Sequence, residues 1–176
     1  MALRPIQLVG SLQIDEHMGY QRLAWRLQRV GWAVMGLLLA AAIAGAFGSG
    51  PLGHASTGAE TSALRVEYAR FGRLQAPQEL VLNVKPTPEQ AKAGKVTLWV
   101  SRPYADQLQI ETIVPTPDVS RGGPDRIEFD VSLTPDSAGR SIAVTLYVQH
   151  QYPGMHTTRA GVADGPTVEW WEFVYP

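Results

Sequence analysis

The stretch RIEFDVSLTPDSAGRSIAVTLYVQH, residues 126–150, decides the fold class of this chain. Apolar residues occupy every second position of residues 127–133, and again of residues 142–148, with mostly polar or small residues between them. A period of two places alternate side chains on opposite faces of a β-strand. Residues 135–139 lie between the two runs and contain Pro, Asp, Ser and Gly, which favour turns. The stretch therefore predicts two strands that each have one apolar face.

The same alternation recurs on both sides of this stretch. Five further runs show it: Leu64–Tyr68, Leu80–Val84, Val96–Val100, Leu108–Thr112 and Thr167–Tyr175. Together they give seven strands in residues 63–176, separated by segments rich in Pro and Gly. The one helical signal among them starts at Thr87, which can cap a helix that has Pro88 at its first position. This pattern predicts a mainly β domain, a seven-stranded antiparallel sandwich of immunoglobulin-like type, with a small barrel as the alternative.

An uncharged stretch precedes this domain. VGWAVMGLLLAAAIAGAF, residues 30–47, carries no charged side chain. As a helix it would extend about 27 Å, close to the roughly 30 Å of a hydrocarbon core. Arg22, Arg26 and Arg29 come before it, and the first full charge after it is Glu60. Because positive charge is retained on the cytoplasmic side, we expect a cytoplasmic N-terminus and an exported C-terminal domain.

The predicted organisation has four segments. Residues 1–29 form a cytoplasmic tail with an amphipathic helix over residues 15–29, either continuous with the anchor or lying on the membrane surface. Residues 30–49 form the transmembrane helix, residues 50–62 a flexible linker, and residues 63–176 the β domain. A cleaved signal peptide is the alternative to an anchor, although 29 residues before the apolar run is long for one.

Composition excludes several kinds of function. The net charge is −1, so no basic field points to nucleic acid. The chain has no cysteine, which excludes disulfides and thiolate metal sites. The sequence has no nucleotide-binding loop, hydrolase elbow or zinc-protease motif. We therefore predict neither a cofactor nor enzymatic activity.

The best candidate for a metal site is formed by His150, Met155 and His156. His150 ends one predicted strand, and His156 follows the turn at residues 152–154. If these residues formed a hairpin, two imidazoles and a thioether would meet, a ligand set that suits copper. The alternative is a pair of exposed polar residues beside a loop.

Two further features point to binding. Ala41, Gly45 and Ser49 repeat at four-residue spacing, and small residues in one stripe let a second membrane helix approach closely. In the last predicted strand, both faces are apolar. Trp171, Phe173 and Tyr175 occupy one of these faces. They are either buried by a covering layer or form an exposed contact for a partner.

Three stretches, RLAWRLQRVGWAVM (22–35), GPLGHAS (50–56) and LRVEYARFGR (64–73), carry a resemblance. In them the chain resembles single-pass inner-membrane proteins of Gram-negative bacteria that have a periplasmic β-sandwich. This group has no activity attached to it, so the resemblance implies no site residues. We expect a membrane-anchored, non-catalytic accessory subunit that contacts the lipid bilayer and an integral membrane protein. The alternative is a periplasmic domain that binds copper or a small ligand.

Overall fold

The computed structural model describes residues 8–9, 12–13, 18–45, 50 and 53–176 of the chain. The chain divides into two compact units between Ala41 and Ala42. The N-terminal unit contains the short strands β1 (Leu8–Val9) and β2 (Leu12–Gln13), which pair antiparallel, and most of the helix α1 (Met18–Ile43).

The helix α1 is continuous over 26 residues. It combines residues 18–29 of the expected amphipathic helix with residues 30–43 of the predicted transmembrane segment 30–49 in one element. Residues Tyr20–Ile43 are long and apolar enough to cross a membrane by length and composition, a property that a signal sequence near an N-terminus shares. Its apolar side chains are open to the surroundings, with Leu37 71% and Ile43 86% exposed. The prediction of one N-terminal apolar helix is thus confirmed.

Of the two described residues of the predicted stripe, Ala41 lies on this helix and Gly45 does not. The helix ends at Ile43, and Gly45 lies beyond it with a left-handed φ of 79°. Gly45 therefore does not share a helical face with Ala41, because the four-residue spacing places residues on one face only inside a helix. Ser49 lies outside the described residues.

The C-terminal unit contains eleven strands among its described residues. They are β3 (His54–Thr57), β4 (Leu64–Ala69), β5 (Phe71–Arg73), β6 (Pro77–Val84), β7 (Lys95–Ser101), β8 (Leu108–Val114), β9 (Val119–Gly122), β10 (Arg126–Ser132), β11 (Ile142–His150), β12 (Gly154–Val162) and β13 (Thr167–Tyr175). Two short helices, α2 (Pro88–Ala93) and α3 (Arg102–Ala105), and a single 3-10 turn (Pro135–Ser137) interrupt them. The predicted helix start is confirmed, since the Thr87 hydroxyl accepts a hydrogen bond from the Gln90 amide.

These strands form two sheets. One sheet has five strands in the order β3-β4-β6-β11-β8, and the other has six in the order β5-β13-β12-β7-β10-β9. Their inward side chains form one apolar core, in which Leu82 and Val144 of the first sheet and Leu98 and Val131 of the second are at most 2% exposed. The two sheets therefore pack face to face.

Each of the seven predicted strands coincides with an observed strand, and four more are present: β3, β5, β9 and β12. Strand β3 lies inside the predicted linker and pairs with β4. The nine residues of β12 escaped prediction because two of its inward positions, His156 and Thr158, are polar and hide the apolar alternation. The sheets are also not wholly antiparallel, because β5 pairs in parallel with β13.

Candidate functional site

A cluster of polar and aromatic side chains interrupts the apolar core where β11, β13 and α3 meet. Its members are His150 at the end of β11, Glu172 on β13, Tyr104 on α3 and His156 on β12. Their exposed fractions are only 1%, 2%, 2% and 8%. Ionisable groups are rarely buried this completely without strong partners. The cluster is therefore the first place to look for function.

The alternation of side chains along β11 and β13 points His150 and Glu172 into the interior. On β11, His150 continues the inward series of Val144, Leu146 and Val148. On β13, Glu172 lies between the inward residues Trp170 and Val174. Because Val148 precedes His150 on the inward face, and Trp170 and Val174 flank Glu172, both polar side chains are held inward by the burial of these core residues.

His150 and Glu172 face each other across the two sheets. The Nε2 atom of His150 is 3.2 Å from the Oε1 atom of Glu172. The two ring nitrogens of His150 have no aligned hydrogen bond, and neither does the Oε1 atom of Glu172. The Tyr104 hydroxyl hydrogen-bonds the Glu172 carboxyl. The carboxyl group thus has one neutral donor and one imidazole beside it.

Aromatic rings enclose this pair. The His150 and His156 rings stack at 5.5 Å between centroids, and the Tyr104 ring meets His150 edge-on at 6.0 Å. The Trp170 ring lies 6.0 Å from Tyr104, and its buried indole nitrogen also has no hydrogen-bond partner. Such a shell keeps the site in a low dielectric, where a charge on either group is unfavourable.

Burial shifts the pKa values of Glu172 and His150 in opposite directions. Desolvation raises the pKa of Glu172 from 4.5 to about 7, and the hydrogen bond from Tyr104 only partly opposes the shift. Desolvation, with the nearby His156, lowers the pKa of His150 from 6.5 to about 4. The pKa of Tyr104 is raised by its own burial and by the charge of Glu172. In mildly acidic solution Glu172 therefore holds a proton, and His150 is neutral.

Asp130, in the same domain, is a buried carboxylate whose oxygens have hydrogen-bond partners. It is 3% exposed, and its oxygens accept hydrogen bonds from Arg121 Nη2 at 2.6 Å and Thr97 Oγ1 at 2.7 Å. The bond from Arg121, followed by that from Thr97, lowers the pKa of Asp130. Glu172 has no such cationic partner among the described residues, which makes it the exceptional carboxyl group.

The predicted metal site is not assembled. The two histidine rings do meet, but not through a hairpin, because β11 and β12 belong to different sheets and the intervening turn crosses between them. Met155 is 70% exposed and lies on the opposite face of β12 from His156, as adjacent strand residues must. The Nε2 atom of His156 lies 2.9 Å from the Tyr152 carbonyl oxygen. No three His, Asp or Glu side chains in the described part of the chain are placed to hold a metal ion.

The outer surface of the six-stranded sheet carries a second feature, which we call the aromatic patch. It consists of Phe71, Met155, Trp171, Phe173 and Tyr175. Trp171 is 44% exposed and Phe173 38%, while Phe71 and Tyr175 are half-buried. Phe173 pairs with Met155 on one side and with Phe71 on the other. Of the two alternatives for this strand, the structure thus places Trp171 and Phe173 at the surface.

The buried cluster and the aromatic patch share two strands, β12 and β13. Glu172 lies between Trp171 and Phe173, and it is paired with His156 across the ladder. Sequence reasoning missed Glu172 and Tyr104. The sequence did contain a signal for Glu172, because this acid occupies the same alternate positions of the strand as the apolar residues Trp170 and Val174. Tyr104 had none, because it reaches the core from a four-residue helix.

Comparison with known proteins adds no further assignment: no family model matches this chain, and no curated protein is significantly similar to it.

Proposed function

We propose that this protein is a membrane-anchored, non-catalytic interaction subunit. Its aromatic patch binds another integral membrane protein at the outer, periplasmic side of a bacterial inner membrane. The observation that carries the proposal is the exposure of Trp171 and Phe173, with Met155 beside them, on a strand whose other face already fills the core. The β domain does not need these side chains to build its interior.

The composition of the patch suits a protein contact. Trp, Tyr, Phe and Met are the residue types enriched in the centres of protein interfaces. Fully burying one large apolar side chain contributes about 1.5–3 kcal/mol. Because Trp171 is 44% and Phe173 38% exposed, a partner would gain less than half of this energy from each. Met155 adds an unbranched side chain that adapts to an irregular partner surface.

The helix α1 supports the membrane part of the proposal. Its arginines Arg22, Arg26 and Arg29 all precede the uncharged run, which favours a cytoplasmic N-terminus. The domain that follows would then be held at the opposite membrane surface, within reach of other integral membrane proteins. The immunoglobulin-like assignment belongs to this proposal, supported by two facing sheets built largely from antiparallel pairs.

The test is differential co-purification of the full-length protein from its native host in a mild detergent. We compare the double variant Trp171→Ala, Phe173→Ala with a matched control, Val114→Ala, Val119→Ala. The two valines are 50% and 44% exposed and lie outside the patch. A membrane protein that is retained by the wild type and the control but lost from the patch variant supports the proposal. Recovery of the wild type as a lone monomer or a homodimer, or equal retention by both variants, contradicts it.

A further inference from the structure

We propose that His150 and Glu172 form a proton-binding site inside the β domain, and that its occupancy controls the order of the aromatic patch. This inference rests on the proposed function only in assigning a partner to that patch. The geometry that carries it is a buried acid and base in contact, with the acid on β13, the strand that presents Trp171 and Phe173.

The groups that face Glu172 offer little to compensate the negative charge of its ionised carboxylate. Tyr104 of α3 donates one hydrogen bond, His150 of β11 is 3.2 Å away, and His156 of β12 is its cross-strand partner. A further titratable group near this end of the core is Tyr68 of β4, whose ring lies 5.5 Å from Trp170. No Lys or Arg in the described residues forms an ion pair with Glu172. An ionised carboxylate here must therefore obtain water or leave the core.

Opening the sheet next to Glu172 is the easiest way to admit water. Strand β13 is flanked on one side by β5, a three-residue edge strand. On the other side it pairs with β12, which begins at Gly154 with a φ of 126°. On the β5 side only three residue pairs hold β13, so opening of this corner from that side requires less free energy than global unfolding.

Movement at Glu172 reaches the patch directly. Its chain neighbours are Trp171 and Phe173, and the residues opposite those two are Thr157 and Met155. Because adjacent residues of a strand point to opposite faces, any rotation that brings residue 172 to water displaces both exposed aromatics. Loss of the proton should therefore loosen the patch and weaken the partner contact, whereas the protonated state keeps the patch in order.

Hydrogen exchange on the full-length protein in detergent micelles tests this inference. After correction for intrinsic exchange rates, the amides of β12 and β13 should open about tenfold more often at pH 8.5 than at pH 6, since the exposed carboxyl recovers its ordinary pKa. Glu172→Gln, which keeps the shape of the protonated side chain, should abolish this dependence. The matched control Glu169→Gln removes an exposed acid from the same strand and should behave as the wild type does.

The wild type provides a second measurement that needs no variant. The side-chain carboxyl carbon of Glu172, followed by NMR, should titrate near pH 7. A midpoint at or below 4.5, or a patch whose exchange responds equally in the wild type and Glu172→Gln, overturns the inference. These outcomes leave the co-purification test untouched, since that test compares variants of the patch at one pH. Conversely, absence of a partner would contradict the proposed function without changing the exchange result.

Discussion

Replacing Glu172 with Gln, and separately His150 with Leu, should give the unfolding free energy opposite slopes against pH. Between pH 4.5 and 6.5 the native wild type holds one proton on Glu172 and none on His150. The unfolded chain holds one on the histidine and none on the glutamate over the same range. The two states bind equal numbers of protons, so this pair makes no net contribution to the pH dependence of the wild type.

In each variant, one of the two proton-binding groups is removed, and the pKa difference of the remaining group is no longer cancelled. In Glu172→Gln only His150 titrates, and the unfolded chain binds its proton more tightly. Stability should then rise with pH from 4 to 6.5, by about 3 kcal/mol in all. In His150→Leu only Glu172 titrates, and the native state keeps its proton longer. Stability should then be greatest below pH 4.5 and fall by about 3 kcal/mol as the pH rises to 7.

The assay is urea unfolding of the full-length protein in a non-ionic detergent, followed by near-ultraviolet circular dichroism at several pH values. Subtracting the wild-type curve removes the contribution of every other titrating group, and only the slopes matter, so a loss of baseline stability in either variant does not obscure the result. If both variants run parallel to the wild type, burial does not perturb His150 and Glu172, and the reasoning fails.

Three further changes test the packing of the domain by urea unfolding. Gly161→Ala should destabilise by about 1–3 kcal/mol, because the new Cβ would lie 2.6 Å from the Trp99 ring; an unchanged midpoint would show that the ring moves aside freely. Leu82→Ala should lose about 2–5 kcal/mol, since this side chain is 1% exposed and leaves a cavity between the sheets. Thr87→Ala removes the N-cap hydroxyl that accepts a hydrogen bond from the Gln90 amide, and should lower the free energy of unfolding by about 1 kcal/mol. An unchanged free energy would mean that α2 needs no cap.

Much of the fold was predictable from local patterns, because a strand with one buried face must alternate. The runs at residues 127–133 and 142–148 show this period clearly, and both are strands in the structure. Strand β12 was not predictable in the same way, since His156 and Thr158 occupy inward positions where the pattern expects apolar residues. Strands β5 and β9 are too short, at three and four residues, to show a period at all.

The candidate site was predicted only in part. The meeting of His150 and His156 was one of two alternatives drawn from the sequence, and the hairpin on which it depended was wrong, since the turn after β11 carries the chain from one sheet to the other. That crossing also sends Met155 to the outer surface and brings Glu172 to the histidines instead. The local sequence around His150 contains no indication of this, because Glu172 lies 22 residues further along the chain.

The sequence by itself determined the elements whose pattern is local: one long apolar helix, seven alternating strands and the turns between them. Only the tertiary structure decided which face of β13 is buried, because Val168, Trp170 and Val174 compete with Trp171, Phe173 and Tyr175 for the interior. The choice depends on what the opposing sheet offers to each face. The same packing placed Glu172 inside, between apolar neighbours whose burial outweighs the desolvation of one carboxyl group.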